Sequence, residues 1–393
     1  MDAPKHKHTQ HILVAGAGLF GSSTAKHLSI LHSTSTISLL GPTSVENPFT
    51  CHNDVSRLYR SVSPSAYWSD LAERSIEQFQ TIADQSGVDF FVECGYLGIA
   101  HGDSPWLRGQ LNLIKGSQAQ VTTTHTNTTF LAQQQNAGYL NPEKLIKAQL
   151  NIFTSNGGNV VNGMVSKIIK CDNNTYEVFT NATPPSSIVC DKIVLACGWN
   201  TCDITLTRPT DTHSCKIGDF NDLFSRYSFK TQSVGLFEVE ADQTKNVPTR
   251  TVVFGGPTKG TKDELAVDSC YIVPPIMYAD EGKRYLKIGH GKHLERIIPS
   301  HEFDRVKEWH VTGDESDATT IETLAEILKT LYPEFEHSNK RLVRNGVTVD
   351  TADGRVIQEK IDEEEEIYVN FGCNGYGAKC SEEVGKRMAN MII

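Results

Sequence analysis

The pattern of apolar and polar positions is most regular at residues 11–40, HILVAGAGLFGSSTAKHLSILHSTSTISLL. Ile12, Leu13, Val14 and Ala15 form an unbroken apolar run of strand length. Ser22 to Leu31 carries helical spacing, and Ile37 to Leu40 is a second short apolar run. Continuous apolar runs bounded by turn residues predict strands buried on both faces, so the stretch reads as strand, turn, helix, strand.

Further along, Trp68, Leu71, Ile76 and Phe79 predict one long amphipathic helix over residues 66–86, and Phe90 to Ile99 predicts a strand. Residues 117–136, rich in Gln, Thr and Asn, read as a surface excursion. Asn141 before Pro142 predicts the cap and first position of a helix over about 143–155. Gly157 and Gly158 end it, and a strand follows from Val160 to Ile169. Ser187 to Asn200 predicts a buried strand ending in a turn of small residues. The runs Ser233–Glu240, Arg250–Gly255, Ser269–Ile276 and Arg284–Gly291 predict an antiparallel sheet in a second domain. A helix over 319–332 stops at Pro333. The four acids Glu363–Glu366 read as a solvated turn before a strand Ile367–Phe371, a glycine loop Gly372–Lys379 and a helix capped near Ser381. Both ends of the chain thus belong to one domain, with the β-rich part inserted.

The turn after the first strand is Gly16-Ala17-Gly18-Leu19-Phe20-Gly21. In this context Gly16 makes the tight turn, Gly18 admits a pyrophosphate and Gly21 permits close helix–strand packing, which points to a dinucleotide. The acid expected at the end of the second strand is missing: Gly41 stands there, and Glu46 is the nearest carboxylate.

Composition narrows the reading. A chain of 393 residues with 38% hydrophobic and 21% charged residues is an ordinary globular protein. Its net charge of −10 argues against nucleic acid or an anionic membrane as partner. No apolar run reaches the roughly 18–20 residues of a membrane span, and neither a signal peptide nor an SKL-type C-terminus is evident, so a cytoplasmic location is expected. The ten cysteines lack metal spacing and read as reduced thiols. The sequons at Asn127, Asn173 and Asn181 carry little weight in that setting, and His6, His8 and His11 read as a solvated tail. No metal site is expected.

Arg57 and Arg60 stand in a polar block, CHNDVSRLYR. They read equally as a solvated turn or as one arginine for a cofactor and one for a substrate carboxylate. Lys287, in YLKIGHG, alternates with Leu286 and Ile288 and by pattern alone is a solvated strand residue.

Taken in order, the glycine turn, Ser56–Arg60, Gly138–Pro142, Val160–Ile168, Asp191–Asn200, Leu286–His290, Thr351–Gly354 and Gly372–Lys379 resemble the FAD-dependent D-amino-acid-oxidase and sarcosine-oxidase superfamily. The branch is that of monomeric sarcosine oxidase, N-methylamino-acid oxidase, pipecolate oxidase and fructosyl-amino-acid oxidase. The resemblance implies an α/β fold: a Rossmann-like FAD-binding domain of residues 1–62, 137–215 and 335–393, with an inserted α+β substrate domain of residues 63–136 and 216–334 built on an antiparallel sheet. It places Gly16 to Gly21, Ser56, Arg57, Val165, Cys197, Gly198, Trp199, Gly375, Tyr376, Gly377 and Lys379 at FAD. It gives Arg60 and Lys379 to the substrate carboxylate, Lys287 to the reaction with oxygen and His290 to the pocket wall.

The implied activity is oxidation of the C–N bond of a secondary or N-substituted amino acid. The imine product hydrolyses and oxygen becomes hydrogen peroxide. Activity should rise with pH as the substrate amine becomes neutral. A small amino-acid-like substrate and oxygen are then the partners, and a monomer is expected. Dehydrogenase, biosynthetic tailoring and cofactor-free binding roles are the rivals. The branch carries a flavin-linked cysteine where this chain has Arg344–Asp350, with no cysteine. FAD is therefore expected to be non-covalent.

Overall fold

The computed structural model describes residues 9–32, 34–42, 50–63, 65–101, 121–126, 129–181, 184, 186–239, 249–253, 269–279, 281–291, 296–312, 315–332 and 341–392. His6, His8, Glu46, Asn127 and Pro333 lie outside these residues.

The N-terminal unit folds as its pattern predicts, with β1 at His11–Ala15, α1 at Leu19–Leu31 and β2 at Thr36–Leu40. β1 lies inside a six-stranded sheet ordered Ile357–Lys360, Ile367–Phe371, Lys192–Leu195, β1, β2, Asn159–Val161. Neighbours are parallel except the Ile357–Lys360 edge pair. Alternation along β1 feeds two cores. Ile12 and Val14 pack with Ala25, Leu28, Phe153 and Met388 of the covering helices. Leu13 and Ala15 face the opposite way, toward Ile168, Val178 and Trp199. Each such fully buried aliphatic side chain contributes roughly 1.5–3 kcal/mol.

A nine-stranded sheet forms the second layer, and its strands Tyr227–Glu238, Lys283–His290, Ser269–Tyr278 and Thr249–Val253 are antiparallel neighbours. Arg341–Thr351 pairs with Tyr227–Glu238. The mixed architecture is the α/β fold expected, a Rossmann-like domain with a substrate domain on an antiparallel sheet. Among the described residues, no helix is long and apolar enough to cross a membrane.

Several elements differ from expectation. The long helix is two helices, Ala66–Ile76 and Phe79–Ser86, because their apolar faces serve different cores. Trp68 and Leu71 pack with Phe20 and Val384, whereas Phe79 and Ile82 pack with Tyr59, Phe90 and Leu140. The strand expected at Phe90–Ile99 is split into Phe91–Glu93 and Tyr96–His101, with Gly95 at φ +79 between them. Within the Gln- and Thr-rich excursion, Val121–Thr126 and Thr129–Gln134 form a hairpin that extends the large sheet. Two other long strands are broken where the chain changes sheets: Asn159–Val161 from Val165–Lys170, and Ser187–Cys190 from Lys192–Leu195. The four-acid turn is only partly solvated. Glu365 is buried, taking hydrogen bonds from Arg208 Nε at 2.7 Å and Tyr176 Oη at 2.8 Å. Asn141 does cap helix Pro142–Ser155, accepting from the Lys144 N–H at 3.0 Å.

Candidate active site

Three parallel strands deliver their following loops to the same edge of the central sheet: β1, Lys192–Leu195 and Ile367–Phe371. In open α/β sheets ligands bind outside the carboxyl ends of the strands. Here that edge and the large antiparallel sheet enclose a cavity of about 1070 Å³, at the upper limit of the roughly 300–1,000 Å³ of ligand sites.

The glycine turn lines the cavity. Gly16 has φ +108, and a Cβ there would lie 2.3 Å from the Ala196 carbonyl oxygen. A Cβ on Gly21 would lie 1.7 Å from the Gly16 carbonyl oxygen, which is the close helix–strand packing expected of it. Gly18 is different: among the described residues only the His52 imidazole comes near, at 3.8 Å. Gly18 caps α1 with no side-chain hydrogen bond and no acid in the first turn. Uncapped N–H groups and the positive end of the helix dipole are thus left for an anion. Burial, with Arg57 beside it, pulls the His52 imidazole down to about 4, so it is neutral at pH 7.

Gly41 explains the missing acid. A Cβ there would fall 2.3 Å from the Ala17 Cβ and 2.4 Å from its nitrogen, so no side chain fits. Val165 lines the same cavity.

The same cavity holds charged groups. Lys287 is buried, and its Nζ contacts the Asp54 carboxylate and donates to the Ser56 carbonyl at 2.9 Å. The pattern-based reading of Lys287 as a solvated strand residue is therefore wrong. Asp54 also receives Tyr278 Oη and Arg57 Nη1, each at 2.8 Å. Burial pushes the Asp54 carboxyl up, but the Lys287 and Arg57 charges hold it below its ordinary range. Burial pulls the Lys287 ammonium down to about 8, against the opposing Asp54 charge. Arg57 also donates to the Cys51 and Ser56 carbonyls, at 2.9 and 2.8 Å, and so is locked onto its own loop.

Arg60 and Lys379 are 9% and 5% exposed, and among the described residues neither has a carboxylate partner. Arg60 stacks its guanidinium 4.7 Å over Tyr96, and its Nε and Nη1 are buried without a hydrogen bond. Lys379 Nζ lies 4.8 Å from the Tyr376 ring, which stacks on Trp68 at 4.8 Å and 13°. Burial and the neighbouring Arg60 charge pull the Lys379 ammonium down to about 7. The helix expected to be capped near Ser381 begins at Gly377, directly after the positive-φ pair Asn374 and Gly375, so Lys379 sits in its first turn. Ser381 lies inside it.

A buried network fixes this helix against α1. Glu382 takes Lys26 Nζ and, at 2.8 Å, His27 Nε2. Against burial, those two partners hold its carboxyl down to about 2.

Of the residues expected at the site, Gly16 to Phe20, Arg57, Arg60, Val165, Cys197, Gly198, Trp199, Lys287, His290, Gly375, Tyr376, Gly377 and Lys379 line this one cavity. Gly21 and Ser56 lie behind it and act through Gly16 and Lys287. Asp54, His52, Trp68 and Tyr96 were not anticipated. Asp54 had a signal, standing three residues before Arg57 in the same block, as an i,i+3 ion pair requires. Gln134 was also missed: its Oε1 accepts the Ser61 and Val62 N–H groups at 3.1 Å and pins the segment after Arg60.

The open Gly18 position, the uncapped α1 terminus and a cavity running from there to Lys287 fit an extended dinucleotide such as FAD. Comparison with solved structures gives the same fold. NikD, described as an unusual amino acid oxidase essential for nikkomycin biosynthesis, matches with a TM-score of 0.72 at 13% identity, over 98% of this chain and 94% of that one. Fructosyl amine:oxygen oxidoreductase from Aspergillus fumigatus matches at 0.69 and 15%, over 98% and 86%. Glycine oxidase from Geobacillus kaustophilus matches at 0.67 and 16%, over 98% and 95%. No curated protein matches the chain in sequence. The family model of the FAD dependent oxidoreductases matches residues 11–391, from the first residue of β1 almost to the end of the last helix. The match runs through all three strands whose carboxyl ends open onto this cavity, and the chain belongs to the FAD-dependent oxidoreductase family of the D-amino-acid-oxidase type.

Proposed function

We propose that this protein is an oxidase of the C–N bond of secondary or N-substituted amino acids, yielding an imine that water hydrolyses and hydrogen peroxide from oxygen. The observation that carries this reading is the pair Arg60 and Lys379: two buried basic groups on the cavity wall, with no carboxylate among the described residues to balance them. Buried charge without a partner is costly, so such a pair calls for an anionic ligand. Two of the neighbouring folds bear amino-acid-oxidase names, which suit such a substrate.

FAD, when bound, supplies acceptance of the hydride equivalent from the substrate carbon and the return of two electrons to oxygen. The α1 terminus with Gly16 to Phe20 would hold its pyrophosphate, Val165 its adenine end, and Arg57, Cys197 to Trp199 and Gly375 to Gly377 the rest. We propose that it is held without a covalent bond. Asn345 stands in the block where a linking cysteine is expected, its Oδ1 accepting from Ser233 Oγ at 3.3 Å. Arg60 and Lys379 clamp the substrate carboxylate, and orientation of this kind supplies several kcal/mol of a barrier. Tyr376, stacked on Trp68, lies against Lys379, and Tyr96 lies against Arg60. His290 closes the pocket, with its Nδ1 2.7 Å from the Gly291 carbonyl. Lys287 offers a buried positive charge where oxygen gains negative charge.

A peroxide-coupled screen of the FAD-loaded protein tests this, using N-methylamino acids, cyclic imino acids and larger N-substituted amino acids. At least one should yield peroxide, and the matching amine without a carboxylate should not. Substrate-driven loss of flavin colour with no peroxide would instead identify a dehydrogenase on the same fold.

A further inference from the structure

We propose that Lys379 accepts the proton that makes the substrate amine reactive: the amino acid enters as a zwitterion, its carboxylate binds between Arg60 and Lys379, and its ammonium proton ends on Lys379 Nζ. The proposal rests on the amino-acid reading above. An N–H bond of the ammonium breaks, its electron pair stays on the substrate nitrogen, and a new N–H bond forms on the lysine. No oxidant or reductant is required. The net charge of the complex is unchanged, but the charge has moved from the reacting nitrogen to the cation that faces the carboxylate.

The surroundings of Lys379 favour a neutral amine in the empty site. Arg60 faces it with a permanent positive charge. Tyr376 presents its ring, and Trp68 stacks behind that ring. On its own helix Cys380 is buried, and burial pushes that thiol up to about 12, so it stays uncharged. None of these groups brings a negative charge at neutral pH, and Lys379 is held down to about 7. An arriving carboxylate reverses the balance, because an adjacent opposite charge favours the ammonium. The ammonium of the same ligand is the nearest source of the proton.

Other titratable groups suit the task less well. Lys287 has its charge already balanced by Asp54, a carboxylate further held by Arg57 and Tyr278. His52 shares its neighbourhood with the glycine turn, near Gly18.

The test is proton linkage in the FAD-loaded protein, with benzoate or acetate as carboxylates that bring no amine. Binding is followed by the change in visible absorption between about pH 6 and pH 9.5. Calorimetry in buffers of different ionisation enthalpy counts the protons. Above about pH 7.5, benzoate should take up close to one proton, and its Kd should rise roughly tenfold per pH unit. The zwitterion 2-aminoisobutyrate, which has no hydrogen on the carbon bearing its amine, should bind with no net uptake. In Lys379→Arg, which cannot become neutral, benzoate binding should lose its slope. Binding of benzoate with a flat Kd and no uptake would overturn the proton role yet leave the carboxylate site standing. A slope that persists in Lys379→Arg would also overturn it, by placing the proton elsewhere. Failure of every carboxylate to bind a flavin-loaded protein would defeat the amino-acid reading, and this proposal with it.

Discussion

Lys287 and Lys379 are both buried lysines in one cavity, yet they keep opposite company. Among the described residues Lys379 faces Arg60 and no anion, whereas Lys287 touches Asp54. The reductive and oxidative halves of the reaction should therefore carry opposite pH dependence. The Lys287 ammonium lies below its ordinary value, at about 8, so its positive charge is present below that pH and is lost as pH rises through it. If that charge assists oxygen, the rate at which air restores the flavin colour falls as pH rises through about 8. Lys287→Met should lower this rate roughly a hundredfold, the order found when one preorganised charge is removed, and should flatten its pH profile. Bleaching by substrate without air should persist, since Arg60 and Lys379 are intact. Stopped-flow absorbance measures both halves, and an unchanged reaction with oxygen would remove Lys287 from that role. At this scale the sequence was legible where charge stood in a recognisable block. Burial was not legible: Leu286–Lys287–Ile288 has the same pattern whether the strand edge faces water or an internal cavity.

Among elements, the unit of β1, its glycine turn and α1 was the most readable, because local rules and tertiary context agree there. Its three glycines are separable by experiment. Gly21→Ala would place a Cβ 1.7 Å from the Gly16 carbonyl oxygen, so the turn and α1 must move apart. That variant should unfold at lower denaturant concentration even without FAD. Gly18→Ala meets no backbone, only His52 at 3.8 Å. At an N-cap position it should cost the FAD-free chain only about 0.5–1 kcal/mol. Its Cβ nevertheless occupies the approach to the α1 N–H groups. Loss of one hydrogen bond to a charged group, roughly 1.5–3 kcal/mol, corresponds to about ten- to a hundredfold weaker FAD binding. Urea titration and flavin-fluorescence titration of the two variants measure the separation, and equal losses of stability would refute it. The hairpin ending at Gln134 was not readable. Its Thr- and Gln-rich strands have no apolar alternation of their own, and the large sheet supplies the pairing edge. The same hidden tertiary reason splits the helix over residues 66–86, whose single apolar stripe serves two cores.

At the scale of the molecule, a mostly parallel sheet and a mostly antiparallel sheet close over one cavity, and the proposed flavin would fill what they leave apart. Apolar runs of strand length made this architecture legible, although strand boundaries slipped wherever the chain crossed from one sheet to another. The mode of flavin retention follows from the same closure. Cys51, Cys197, Cys270 and Cys373 all line the cavity. Covalent attachment through sulfur needs a thiolate. Burial pushes the first three thiols up to about 12 and also raises Cys373, so thiolate is scarce at neutral pH. Under the non-covalent binding proposed above, retention comes from the fold itself, and ligand present at about 1,000 times its Kd adds about 4 kcal/mol to stability by mass action. Added FAD should accordingly raise the thermal midpoint of flavin-depleted protein in a concentration-dependent way. Precipitation with trichloroacetic acid should leave the flavin in the supernatant, because unfolding destroys its only hold. Flavin carried down with the pellet would mean that one of these thiols reacts despite its burial. Peptide mapping would then begin at Cys373, which adjoins the turn Asn374–Gly375 at the start of the helix that carries Lys379.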